Sequence, residues 1–134
     1  MIVKKHGAYW LDNGWFPFNI GFVPDLKSWE KVTKYLKAED APYGESAGRC
    51  TNLVNTETRD LCILISIKHW DTKDSAAVAG LVAHEAVHAF EFMCDHIGED
   101  KPSSEFKAYA VQSFVREVLD CIEIERKKLK RKKK

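Results

Sequence analysis

His84 and His88 stand four residues apart in "LVAHEAVHAFEF" (81–92), an apolar, alanine-rich stretch, with Glu85 directly after the first. On a helix, positions i and i+4 share one face a turn apart, so both imidazoles can reach a single metal ion. Glu85 is turned about 100° from His84 and can approach a water on that ion without being a ligand. Two neutral imidazoles suit Zn²⁺, and the carboxylate can take the proton of a water that the metal acidifies. With five His and eleven Glu in 134 residues, chance yields this pattern in about one chain in seventy. The alternative is two half-exposed histidines on an amphipathic helix, so the surrounding residues must decide.

A catalytic zinc needs a third protein ligand and an open position. The extended scheme His-Glu-x-x-His-x-x-Gly-x-x-His would require Gly at 91 and His at 94, where this chain has Glu91 and Cys94. His96 lies eight residues beyond His88, about 12 Å further along a continuous helix and about 80° round it, too far to close on the same ion. Glu91 shares the metal-facing side but sits about 10 Å along the axis from His84, so at most it supports a ligand from outside the coordination sphere. A carboxylate on the following helix remains, and "SSEFKAY" supplies Glu105 near its first turn. Tyr109, four residues on, projects from the same face, where a phenol can donate to a tetrahedral oxyanion. Alone, Glu105 also reads as an acid favoured by a helix N-terminus, and Tyr109 as a packing residue. Joined to the histidine pair, they complete an expected site with His84, His88 and Glu105 as metal ligands and Glu85 and Tyr109 as catalytic groups.

"HEAVH" at 84–88, followed after a short linker by "EFKAY" at 105–109, resembles the zincin metallopeptidases of the gluzincin type, whose third ligand is a glutamate on the next helix. The resemblance implies a minimal zincin-like domain that holds Zn²⁺ on His84, His88 and Glu105. It implies a zinc-dependent peptidase acting on a peptide or protein substrate, with a metal-activated water as nucleophile and Glu85 as general base. More loosely, the sweep from "GFVP" through "AGRC" to "GEDKPSSEFKAYAVQ" is similar to small phage-encoded metallopeptidases. The specific part of the likeness covers about residues 74–115.

The elements that must position these residues follow from pattern. "YWLDNGWF" (9–16) sets Asn13-Gly14 between aromatic runs, a hairpin signal that Pro17 weakens on its far side. "FNIGFV" (18–23) alternates like a strand with one buried face. Asp25 can cap a helix in which Trp29, Val32 and Leu36 recur at helical spacing. After the Gly- and Pro-rich loop 39–49, "CTNLV" (50–54) and "LCILISI" (61–67) read as antiparallel strands, the second apolar on both faces and therefore central. Asp74 or Ser75 opens a long helix to about His96, Gly98 ends it, and Pro102-Ser103-Ser104 starts another with Val111, Phe114/Val115, Val118/Leu119 and Ile122 as its apolar stripe. The expected fold is α+β: a small antiparallel sheet with one helix before it and two after it.

Length allows one domain with a modest core. The formal net charge of +1 hides an asymmetry. Residues 125–134 hold eight Lys/Arg and one acid, leaving 13 basic and 19 acidic residues in positions 1–124. We therefore expect a domain over 1–124 and a basic tail over 125–134 that is dispensable to the fold, a frayed helix end or a weak contact for nucleic acid or an acidic partner. The four cysteines stand singly and read as reduced, mostly buried thiols. The start "MIVKKHGAYW" has no apolar h-region or cleavage site, and no segment approaches ~18 consecutive apolar residues, so the expected setting is cytoplasmic with no membrane partner. Two other function classes fit these features. One is a nucleic-acid-associated module; the other is a phage assembly or structural protein that retains a zincin-like metal site. Glu85 argues against the latter, because a purely structural zinc needs no base beside it.

Overall fold

The first hairpin turns on two residues. Lys5 pairs with Ala8 across His6-Gly7, and both turn residues have positive φ (56° and 92°), the type I′ geometry that matches strand twist. Gly7 is required twice over: its φ favours glycine, and a Cβ there would come within 2.5 Å of the Ser28 carbonyl. The structure, a computed structural model, describes every residue except Met1, Asn13, Trp15 and Lys134.

Along the chain run β1 (Val3–Lys5), β2 (Ala8–Trp10), β3 (Phe18–Val23), α1 (Leu26–Tyr35), β4 (Gly48–Val54), β5 (Leu61–Ile67), α2 (Ser75–Ile97) and α3 (Ser104–Lys132). The protein is α+β. Its five strands form one sheet in the order β1-β2-β3-β5-β4. β2 pairs antiparallel with β3, Tyr9 opposite Phe22, a register centred beyond the expected Asn13-Gly14 turn; Asn13 and Trp15 lie outside the described residues. β4 and β5 are antiparallel as expected, but β3 and β5 run parallel, so the sheet is mixed rather than purely antiparallel. The cause is topological. The chain leaves β3 through α1, lays β4 at the edge, and returns to insert β5 between them. An apolar strand shows that it is central, not which way it runs.

Alternation along β5 sorts the core into two layers. Leu61, Ile63, Ile65 and Ile67 enter the larger cluster, against Val82, Ala86, Phe90 and Met93 of α2 and Phe114, Val118 and Ile122 of α3. Leu64 faces the other way, joining Ala8, Val23, Trp29 and Val32 under α1. Strand geometry dictates this, since successive side chains point to opposite faces. α1 is capped by Asp25, which accepts from the Ser28 amide at 2.8 Å.

α2 starts at Asp74, whose side chain accepts from the Ala77 amide at 2.9 Å, and stops at Gly98 in the left-handed conformation. By length and composition alone it could cross a bilayer; here it buries Val78, Val82, Ala86, Ala89, Phe90 and Met93 in the core. Ser103 caps α3, accepting from the Phe106 amide at 3.1 Å.

α3 corrects one expectation. It runs without a break through residue 124 to Lys132, so the proposed boundary between a 1–124 domain and a 125–134 tail is not a structural one. Glu125 is buried and accepts from Lys4 Nζ and Tyr9 Oη, both at 3.0 Å. Arg126 donates to the Trp70 carbonyl at 3.0 Å, Lys128 donates to Tyr9 Oη at 2.9 Å, and Leu129 packs against the main core. The lysines hide this because a charge run carries no apolar period, while the anchoring residues lie among them one turn apart.

Candidate metal centre

β4 and the middle of α2 build the site between them. α2 crosses the sheet over β4 and β5, presenting Ala86 and Ala89 inward. The same turn of helix carries His84 and His88 outward, both exposed, and Glu85 sideways toward β4, buried at 5% exposure. A single turn of helix thus carries two solvent-facing imidazoles and one buried carboxylate.

The ligand atoms of His84, Glu85 and His88 all lie within 4.8 Å of one another. The two Nε2 atoms are 3.2 Å apart, with the rings at 72° to each other. Zinc–nitrogen bonds of about 2.0–2.1 Å in a tetrahedral site would hold two nitrogens roughly 3.3 Å apart, so the pair fits a shared zinc ion. The other nitrogen of His88 supports this. Nδ1 lies 3.1 Å from Glu91 Oε1, and a neutral imidazole that donates there leaves the Nε2 lone pair free for a metal.

Glu85 differs from an ordinary surface acid. Burial pushes its carboxyl above the usual carboxylate range, with the neighbouring His84 and His88 opposing the shift. Gly48, the first residue of β4, makes the room: a Cβ there would come within 2.9 Å of Glu85 Oε2 and 3.4 Å of its Cγ. The carboxylate therefore lies against backbone, close to both imidazoles. Sequence reading missed this role, because Gly48 reads as the end of a loop. A glycine immediately before an apolar strand is the only available signal. Glu91 stands where the sequence puts it, outside any coordination sphere and hydrogen-bonded to His88.

Of the expected residues, His84, Glu85 and His88 are brought together. Glu105 is not a member of that group; it is exposed on the first turn of α3. Tyr109 is also on α3, 68% exposed. The helices that carry the two halves of the expected site do pack together, with Phe90 of α2 edge-on to Phe106 of α3 at 5.4 Å. The seam is thus closed by the residue next to Glu105, not by Glu105.

All four cysteines are free. Burial raises each thiol, Cys62 and Cys121 to about 12, so they are inert thiols rather than nucleophiles. Set against known protein families, curated proteins and solved structures, the chain matches none.

Proposed function

We propose that the protein is a zinc-dependent peptidase, and the convergence of His84 Nε2 and His88 Nε2 at 3.2 Å beside the buried Glu85 carries this reading. His84 and His88 would hold the ion, with Glu105 as third ligand by the resemblance to gluzincins. When bound, zinc supplies Lewis acidity, lowering the pKa of a coordinated water and polarising a carbonyl. Glu85 acts as the general base, accepting a proton from the attacking water and handing it to the departing amine. Tyr109 is assigned the donor role toward the oxyanion. Glu91 keeps the His88 ring in one orientation and one tautomer.

Substrate class follows from the neighbouring strand. β4 is the outermost strand, and its first residue touches Glu85. An extended peptide could pair with that edge and be aligned by its main chain alone, without a deep pocket.

The test is metal analysis. Wild type is expected to bind about one Zn²⁺ per chain, His84→Ala or His88→Ala to bind none tightly, and Glu105→Ala to bind it far more weakly. Unchanged zinc in Glu105→Ala would move the third-ligand role to another carboxylate, Glu91 or Asp95. Unchanged zinc in both histidine variants would end the metal reading altogether.

A further inference from the structure

At the β1 edge of the sheet, between α1 and the end of α3, the fold gathers cations from three separate elements. A hollow of about 500 Å³ is lined by Lys4 and Lys5 of β1, His6 of the turn, Lys27 and Lys31 of α1, and Lys128 of α3. Its one carboxylate, Asp25, is occupied in capping α1. Lys4 is neutralised by Glu125, but among the described residues no carboxylate pairs with Lys5, Lys27 or Lys31. Composition does not account for this, since positions 1–124 carry 19 acids against 13 bases. Beyond Lys128 the helix continues with Lys130, Arg131 and Lys132 in its last turn. A concentration of one charge sign on an otherwise acidic body marks a polyanion surface.

A second hollow, about 750 Å³, shares Lys5 and His6 with the first and has a different chemistry. His6 and Tyr35 stack at 3.6 Å with their rings 5° from parallel, and Tyr35 remains 54% exposed. Trp10 lies against Gly21, where a Cβ would come within 3.0 Å of the indole, and its Nε1 donates to the Lys5 carbonyl at 2.9 Å. Asn19, Asn55 and Asp60 line the far side. Phosphates are attracted to the first hollow, whereas the second is balanced, Lys5 and Lys37 against Glu57 and Asp60. Flat, hydrogen-bonding groups are suited to the second.

We propose that this face binds single-stranded nucleic acid, its backbone along the lysines of the first hollow and a base stacked on Tyr35 in the second. Sequence-tolerant single-strand binding combines a positive groove with aromatic platforms in this way. A duplex offers only its phosphates, because its bases are already stacked. An anionic lipid surface has no use for a recessed aromatic hollow. The surface lies across the sheet from the His84–His88 pair, and the proposal stands independently of the peptidase reading.

The experiment is fluorescence anisotropy of a labelled mixed-sequence 12-nucleotide strand with the full chain, between 50 and 300 mM KCl. Lys27→Gln/Lys31→Gln is expected to weaken binding about tenfold at 100 mM KCl and to reduce the log–log salt slope by roughly 1 to 1.5. Tyr35→Leu is expected to weaken it roughly 5- to 100-fold with the slope unchanged, the signature of a lost stack rather than a lost charge. Duplex of the same sequence should bind at least tenfold more weakly. Lys27 and Lys31 are exposed, so the lysine pair should melt at the wild-type temperature; Tyr35→Leu also loses the His6 stack, and its affinity is compared below its own melting transition. The proposal is overturned if these variants bind as wild type while Lys130→Gln/Lys132→Gln alone loses affinity, for then the helix end acts by itself. It is equally overturned if polyglutamate, or vesicles of 30% phosphatidylserine, binds as tightly as the oligonucleotide.

Discussion

Two glutamates, Glu85 of α2 and Glu125 of α3, are buried against the same sheet, and their surroundings give them opposite occupations. Glu125 receives Lys4 Nζ and Tyr9 Oη, each at 3.0 Å, and Lys128 closes the group by donating to the same phenol. Its lone pairs are engaged, and the cluster fastens β1 and β2 to the last turns of α3. Glu85 has no hydrogen-bond donor among the described residues; it faces a glycine on one side and two metal-competent imidazoles on the other. Burying a carboxylate without protein donors costs stability, and the proposed peptidase would draw on the basicity this leaves to Glu85. On that proposal, what separates the anchor from the reactive group is whether protein donors already engage the carboxylate, since both residues are buried.

That contrast can be broken from the Glu125 side. Ending the chain after Ile124 removes Glu125, the Arg126 bond to Trp70 and the Leu129 contact together. It should cost roughly 3–5 kcal/mol and lower the melting temperature by on the order of 10 °C. Melting at the wild-type temperature would return the segment to solvent. Glu125→Ala alone should cost about 2–3 kcal/mol, because it leaves a buried phenol without its partner, yet hydrolysis per folded molecule should not change. A proportionate loss of activity would erase the distinction between the two glutamates.

A smaller effect sharpens the Glu85 side. Gly48→Ala introduces a methyl 2.9 Å from Glu85 Oε2, so the carboxylate must move. Expected are about 1 kcal/mol of destabilisation and a roughly tenfold fall in hydrolysis at unchanged zinc content. Equal activity in the variant would mean that Glu85 need not be held in place.

The smallest concerns a half-buried acid. Glu117 accepts from the Asp12 amide at 2.8 Å, and its Oε2 has no partner. Desolvation raises its carboxyl above the ordinary value, with the Asp12 amide opposing. A raised folded-state pKa means that its stabilising contribution is complete below the unfolded-state value and is lost as pH rises through the folded one. Melting temperature of wild type should therefore decline slightly as pH climbs out of the carboxylate range, and Glu117→Gln should flatten that decline. An identical slope in the variant would assign it to other groups.

The elements were largely legible because their signals are local. Asp25, Asp74 and Gly98 cap where side-chain chemistry predicts, and β5 is apolar on both faces because it is central. Two things were not legible. The direction of β3 against β5 depends on where β4 is laid, a long-range choice that leaves no period in the sequence. The anchoring of α3 depends on Tyr9 and Lys4, more than a hundred residues away from Glu125. At the site, the His-Glu-x-x-His spacing carried its own geometry, since one helix fixes all three groups. Glu105 and Tyr109 belong to another helix, so their relation to the pair depends on packing that sequence spacing does not encode.

The proposed peptidase stands or falls on Glu85 as its proton-transfer group. Glu85→Gln is nearly isosteric, leaves both imidazoles in place and cannot accept a proton. Hydrolysis of a peptide library or casein should be followed for wild type and Glu85→Gln at matched zinc occupancy, with melting temperature recorded in parallel. The account predicts wild-type zinc content, an unchanged or slightly higher melting temperature, and a loss of hydrolysis of roughly 10²–10⁴-fold. Equal cleavage by the two proteins, or a wild type that holds its zinc and cleaves nothing, would contradict it.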